Sequence, residues 1–160
     1  IDTKSFSINF SFYKDSNYTI TILKNTLFPL QMPVDIQFPH DLGSKVVQFI
    51  IDGKHVLRSG PVLGSFIPIV ERTLGEYGKH YTRARLMEDA DHIPAYGPPL
   101  TGDGYEIVGM GVITVSGNRA ILGGRSETYN LGPNEDHIRR CLELAGETLD
   151  LMVTKYVKGE

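Results

Sequence analysis

The residues with the most evident chemistry lie in one run near the C-terminal third, where Gly123, Gly124, Arg125, Ser126 and Thr128 precede Gly132, Pro133 and Asn134. Apolar runs from Ile107 to Val115 and from Ala120 to Leu122 flank Ser116, Gly117, Asn118 and Arg119, a spacing that predicts a hairpin. Its second strand leaves through glycines into hydroxyl side chains and meets a helix start a few residues later. Backbone N–H groups, hydroxyls and a positive helix end are thereby offered together, and that combination suits an anion. Gly124, Arg125, Ser126 and Thr128 are the candidate substrate-binding residues of this loop. Ser126 is not a hydrolase nucleophile elbow, because Thr128 stands where that motif needs Gly, and a donor role suits it.

A second group is basic. Lys79, His80, Arg83 and Arg85 follow a helical pattern in a protein whose formal net charge is -3. They read either as a solvated helix end, where cations suit the dipole, or as groups facing an anionic substrate. In the second case Lys54, His80 and Arg83 join the pocket. Glu88, Asp89, Asp91 and His92 form a dense acidic cluster, read either as surface charge or as a metal-assisted site. The histidines at 40, 55, 80, 92 and 137 show no short His–His pair of a common metal motif. Cys141, the only cysteine, falls at an apolar helical position, so neither a disulfide framework nor a cysteine-based zinc site is expected. No metal and no cofactor is expected.

These groups must be positioned by the elements around them. Phe6, Ile8, Phe10 and Phe12 alternate with Ser5, Ser7, Asn9 and Ser11, and the alternation resumes from Tyr18 to Leu23 after Lys14, Asp15 and Ser16. Period two predicts a first hairpin, whose polar faces suit a sheet edge or contact with another subunit. Residues 25–44 carry Pro29, Pro33 and Pro39 and predict an extended, irregular connection. Val46 to Ile51 and Lys54 to Leu57 flank Asp52-Gly53, which predicts a second hairpin. Ser65 is placed to cap a helix through Leu74, and residues 94–104, rich in Pro and Gly, predict a loop. Gly109 and Gly111 sit inside a strand pattern and read as a bulge or a close approach rather than a nucleotide fingerprint. After Asn134, the residues Ile138, Cys141, Leu142, Ala145, Leu149, Met152, Val153 and Tyr156 predict one long amphipathic helix. The expected fold is α+β, an antiparallel sheet of hairpins with two helices packed on it in the order ββ–ββα–ββα.

At 160 residues the chain suits one domain, with 1–45 as an N-terminal extension and 46–160 as the core. Hydrophobic residues at 41% and charged residues at 22% are ordinary for a folded domain, which disfavours disorder. Broad nucleic-acid binding is disfavoured by the acidic balance. No apolar run reaches membrane-spanning length and no leader pattern opens the chain, so a soluble protein of the reducing cytoplasm is expected, with no membrane partner.

These motifs resemble, in order, those of one family. Gly109-Met110-Gly111-Val112-Ile113, then Gly124-Arg125-Ser126-Glu127-Thr128-Tyr129, then Gly132-Pro133 and His137 resemble the phosphohistidine phosphatase (Janus/ocnus) family over about residues 46–145. His80 after the first helix and Lys54 in an early strand fall in the corresponding order. The sequence differs where Tyr81-Thr82 replaces the Ala-Asp that follows the family's histidine, and at Asn130, where the family has Gly. The resemblance implies a metal-independent phosphatase or phosphate-ligand-binding protein. His80 would be the catalytic general base, Ser126 and Thr128 would hold the phosphoryl oxygens, and Lys54 would add charge. The partner would be a small phosphorylated molecule or a phosphohistidine protein. Two alternatives stand beside it: a non-enzymatic module that assembles as a homo-oligomer through its N-terminal hairpin, and a small-molecule enzyme built on the Glu88 to His92 cluster.

Overall fold

A computed structural model describes residues 5–11, 17–23, 34–37, 43–86 and 93–155. The Glu88 to His92 cluster, Tyr156, the turn at Lys14 to Ser16, and Pro29, Pro33 and Pro39 lie outside the described residues. The chain forms two compact units, Ile1–Met32 and Pro33–Glu160. In the first, strands β1 (Ser5–Ser11) and β2 (Asn17–Leu23) pair antiparallel from Ser5↔Leu23 to Ser11↔Asn17, as the period-two pattern predicts.

Among the described residues the second unit is a mixed sheet with two helices. Its strands are β3 (Val34–Ile36), β4 (Ser44–Ile51), β5 (Lys54–Gly60), β6 (Ala84–Arg85), β7 (Tyr96–Gly97), β8 (Thr101–Gly102), β9 (Tyr105–Ser116), β10 (Arg119–Gly123) and β11 (Asp150–Val153). Helices α1 (Ile67–Glu76) and α2 (Glu135–Leu144) follow β5 and β10. The main sheet runs β11-β10-β9-β4-β5-β3, β8 pairs with the start of β9, and β6 and β7 form a small ribbon. Both hairpin signals are realised: Asp52 and Gly53 turn β4 into β5 at φ 50 and 77, and Gly117 and Asn118 join β9 to β10.

Three features differ from the sequence expectation. The sheet is not wholly antiparallel, because β3 lies parallel to β5 and β11 parallel to β10. Part of the proline-spaced connection, Val34–Ile36, is a strand: β5 offers it an open edge, and Asp35 anchors it to Arg58. The long C-terminal helix ends at Leu144, because Gly146 takes φ +69 and the N–H groups of Gly146 and Glu147 cap Glu143 and Leu142 carbonyls. Buried Leu151 then precedes exposed Met152, the period of a strand on the sheet edge rather than a helix face.

The sheet has a helix on each face. Successive β4 residues point to opposite sides, so Val46 packs in a core with Leu57, Ile113, Ile138 and Leu142, while Val47, Phe49 and Ile51 pack with Ile69, Val70 and Leu74 of α1. Each fully buried aliphatic or phenyl side chain contributes about 2 kcal/mol. Strand β9 serves both cores because its register against β4 slips between Gln48 and Phe49, leaving Val108 as an extra residue. The slip keeps Ile107 and Met110 in the α1 core and puts Ile113 and Val115 in the α2 core. Gly109 sits at that bulge: a Cβ there would lie 2.1 Å from Gln48 Oε1 and 2.7 Å from the Asn134 nitrogen. The strand glycine therefore marks a close approach, as its position in the pattern predicts.

Helix α1 carries Pro68 in its first turn, and the Thr73 hydroxyl donates to the Ile69 carbonyl. Phe66 rather than Ser65 is the N-cap residue, and Ser65 Oγ accepts from the Ile67 N–H at 3.3 Å.

Candidate functional site

Strand β10 ends where Gly123 pairs with Val112, and Gly124, at φ +71, turns the chain into the loop before α2. The loop is held by its own bonds. Ser126 and Leu131 exchange backbone hydrogen bonds at 2.8 and 3.1 Å, Asn130 takes φ 50, and Ser126 Oγ accepts from the Tyr129 N–H at 3.1 Å. Tyr129 is buried in the α1 core and donates to the Pro98 carbonyl at 2.9 Å. Burial, then the neighbouring Tyr105, Glu71 and Tyr81, push its phenol well above the usual range. The Gly132 carbonyl accepts from the Met110 N–H at 3.0 Å.

Helix α2 begins where sequence predicts. The Asn134 side chain accepts from the His137 N–H at 3.0 Å and Glu135 and Asp136 occupy the first turn. Beside that turn opens a cleft of about 590 Å³, lined by residues 130–136 together with Val108, Arg125, Val153 and Lys155. Arg125 donates to Asn130 Oδ1 at 2.9 Å, and Glu135 accepts from Arg139 at 3.1 Å.

The sequence-predicted residues separate into two places. Arg125 lines the cleft and Gly124 directs the chain to it. Ser126, 2% exposed, spends its hydroxyl inside the loop, and Thr128 is half-buried outside the cleft lining. Lys54 opens β5 opposite Ile51, which pairs with Tyr105; from Tyr105 to Val112, the partner of Gly123, is about 20 Å of strand at ~3.3 Å per residue. His80 is exposed and follows Lys79, whose Nζ donates to Asp52 Oδ1 at 2.6 Å in the β4–β5 turn. Lys54 and His80 thus flank the hairpin-turn end of the sheet, away from Gly124. Arg83 is exposed and pairs with Glu71 of α1 at 2.8 Å.

A second cluster escaped sequence reasoning. Gln48, fully buried on β4, accepts from the Asn134 N–H at 2.9 Å, donates to the Asn134 carbonyl at 2.9 Å, and lies 3.1 Å from His137 Nδ1. His137 Nε2 is 3.0 Å from the Phe49 carbonyl. A carbonyl only accepts, so Nε2 carries the proton and Nδ1 presents a lone pair. Burial pulls the His137 pKa down to about 4, against the Phe49 bond, so the ring is neutral. One turn along, Cys141 Sγ is 3.6 Å from His137 Nδ1, and burial pushes its thiol up to about 12. From β5, the His55 ring lies 5.0 Å from that of His137, and His55 Nδ1 is buried without a hydrogen-bond partner. The donor atoms of His55, His137 and Cys141 all lie within 4.8 Å of one another, and among the described residues this is the group able to hold a metal. The signal in sequence was the i, i+4 spacing of His137 and Cys141, hidden because the cysteine also fits the apolar helix face.

The third polar group is structural. Arg58, 3% exposed, donates to Asp35 at 2.6 Å and to Glu76 at 3.1 Å, and the Tyr77 hydroxyl donates to Asp35, tying β3, β5 and α1 together.

No protein-family model and no curated protein sequence matches this chain. Among the described residues no helix is long and apolar enough to cross a membrane.

Proposed function

We propose that this protein binds a phosphorylated ligand, a small molecule or a phosphohistidine-bearing protein, in the cleft between the β10–α2 loop and the first turn of α2. The observation that carries this reading is the convergence of Arg125 and Lys155 with the α2 N-terminal turn on one cleft. Helix N-termini favour anions, and the Arg125 guanidinium, which holds Asn130 through Nη1, adds positive charge beside them. Of the carboxylates in the cleft, Glu135 is engaged by Arg139. The likeness to the phosphohistidine phosphatase family supports the same ligand class.

His80 flanks the hairpin-turn end of the sheet and does not line this cleft, so the general-base role that the resemblance implies for it has no geometric support here and the proposal is one of binding. Phosphate titration followed by NMR, with EDTA present, should move Gly124, Arg125 and residues 130–136 saturably; a response spread evenly over the chain would remove the site. His80→Ala, outside the cleft lining, should leave the same titration unchanged.

A second reading rests on the N-terminal unit. Among the described residues β1 and β2 form a sheet of their own, and an isolated two-stranded hairpin is marginal in water, which favours pairing with another chain, such as a second copy of this one. Deleting residues 1–32 and measuring mass in solution tests it: an unchanged assembly state counts against it.

A further inference from the structure

We propose that His55, His137 and Cys141 bind one borderline-soft transition-metal ion, with Zn²⁺ as the reference case, through His55 Nδ1, His137 Nδ1 and Cys141 Sγ. Imidazole nitrogen and thiolate sulfur are the donors such ions prefer.

Four observations converge on this site. His55 Nδ1 is a buried nitrogen with no hydrogen-bond partner, the expected state of a donor atom whose natural partner is an ion. The Phe49 carbonyl fixes the His137 proton on Nε2, so the ring presents Nδ1 to the cluster; backbone carbonyls hold metal-ligating histidines in this way. Cys141 Sγ and His137 Nδ1 are 3.6 Å apart. A tetrahedral ion with nitrogen at ~2.0–2.1 Å and sulfur at ~2.3 Å sets those two donors about 3.6 Å apart, so this edge is already in place. Taking one ring nitrogen from each histidine, the donor set lies within 4.8 Å, and closing that distance takes roughly 1–1.5 Å of movement, available at half-buried His55.

The neighbourhood tolerates the ion. Gln48 Nε2 leaves His137 Nδ1 when the ion arrives but keeps its bond to the Asn134 carbonyl at 2.9 Å. Arg140, the nearby cation that acts on His55, is paired with Glu143 at 3.1 Å. On binding, the Cys141 S–H bond breaks, a metal–sulfur bond forms, and one proton is released to solvent, so affinity rises with pH. Three protein donors leave the fourth position to water or an outside ligand. Arg125 and Lys155 are not among the donors, so this site stands or falls apart from the phosphate cleft.

The test is titration of the full-length protein with Co²⁺, followed by displacement with Zn²⁺. One equivalent of Co²⁺ should produce thiolate-to-metal charge-transfer absorption in the near ultraviolet, which Zn²⁺ abolishes. Cys141→Ser should lose the band, and His55→Gln should keep a weakened band with affinity lower by roughly 100-fold. Circular dichroism identifies any variant that has lost the fold, and His55→Gln, at a half-buried strand position, is the variant expected to keep it. Absence of a thiolate band in the folded protein at stoichiometric Co²⁺, or equal affinity in the folded His55→Gln variant, would overturn the site.

Discussion

The side-chain amide of Gln48 on β4 meets the imidazole of His137 on α2 at 3.1 Å, with Nε2 donating to Nδ1, while the same amide closes both backbone groups of Asn134. One buried side chain thus sets where α2 starts, and with it the position of the cleft and of the His137–Cys141 face. Replacing Gln48 with Leu takes the partner from the part-buried Asn134 N–H and leaves His137 Nδ1 only the Cys141 sulfur at 3.6 Å, and about 2 kcal/mol of unfolding free energy should be lost. Urea denaturation reads the loss. A change below ~1 kcal/mol would mean that this amide does not anchor the helix.

Two glycine-to-alanine substitutions should act with opposite signs. At Gly109 the new methyl meets Gln48 Oε1 at 2.1 Å and the Asn134 backbone at 2.7 Å, so the bulge must open, with destabilisation above about 2 kcal/mol. At Gly75, inside α1, nothing lies within 4 Å, and Ala should stabilise by up to about 1 kcal/mol through helix propensity. Thermal melts of the two variants, measured together, check the contrast.

Acid should weaken the β3–β5–α1 junction. Burial pushes the Asp35 carboxyl up, but hydrogen bonds from Arg58 and Tyr77, with the charges of Arg58 and Lys54, outweigh it and hold the group below the usual carboxylate range. The other carboxylate facing Arg58 is Glu76. A folded-state value below the unfolded one, about 3.9, means that this stabilisation is fully present above pH ~4 and is lost as pH falls through the folded value. Asp35→Asn should therefore lower stability at pH 7 and flatten its dependence on pH below ~4. A denaturation series from pH 7 to pH 2 on both proteins decides the matter: parallel curves would rule out Asp35 as the source.

For the cleft, Arg125→Ala should weaken phosphate binding roughly tenfold, about 1.4 kcal/mol, whereas Lys54→Ala, at the hairpin-turn end of the sheet and outside the cleft lining, should leave it unchanged. NMR titration of both variants measures this. An equal effect of the two would point to diffuse charge attraction in place of a site.

Much of the frame was legible because its causes are local. Asp52-Gly53 and Gly117-Asn118 make their hairpins from the turn residues alone, Asn134 caps α2 three residues from the N–H it accepts, and Gly109 advertised the bulge by interrupting a strand. Sequence alone thus determined the α+β class, the antiparallel centre of the sheet and the loop that leads from β10 into α2. Tertiary structure decided the rest. The parallel placement of β3 and β11 depends on which sheet edges stand open, and the end of α2 at Leu144 turned on a single positive φ at Gly146 that an apolar spacing pattern does not register. Strand register, not residue type, separated Lys54 from Gly124, and the Lys79–Asp52 ion pair keeps the neighbouring His80 at that far end. Only the packing of α2 on β5 brought His55 to His137 and Cys141, because a contact between distant segments is selected by the burial of whole faces, of which no local run of residues carries a record.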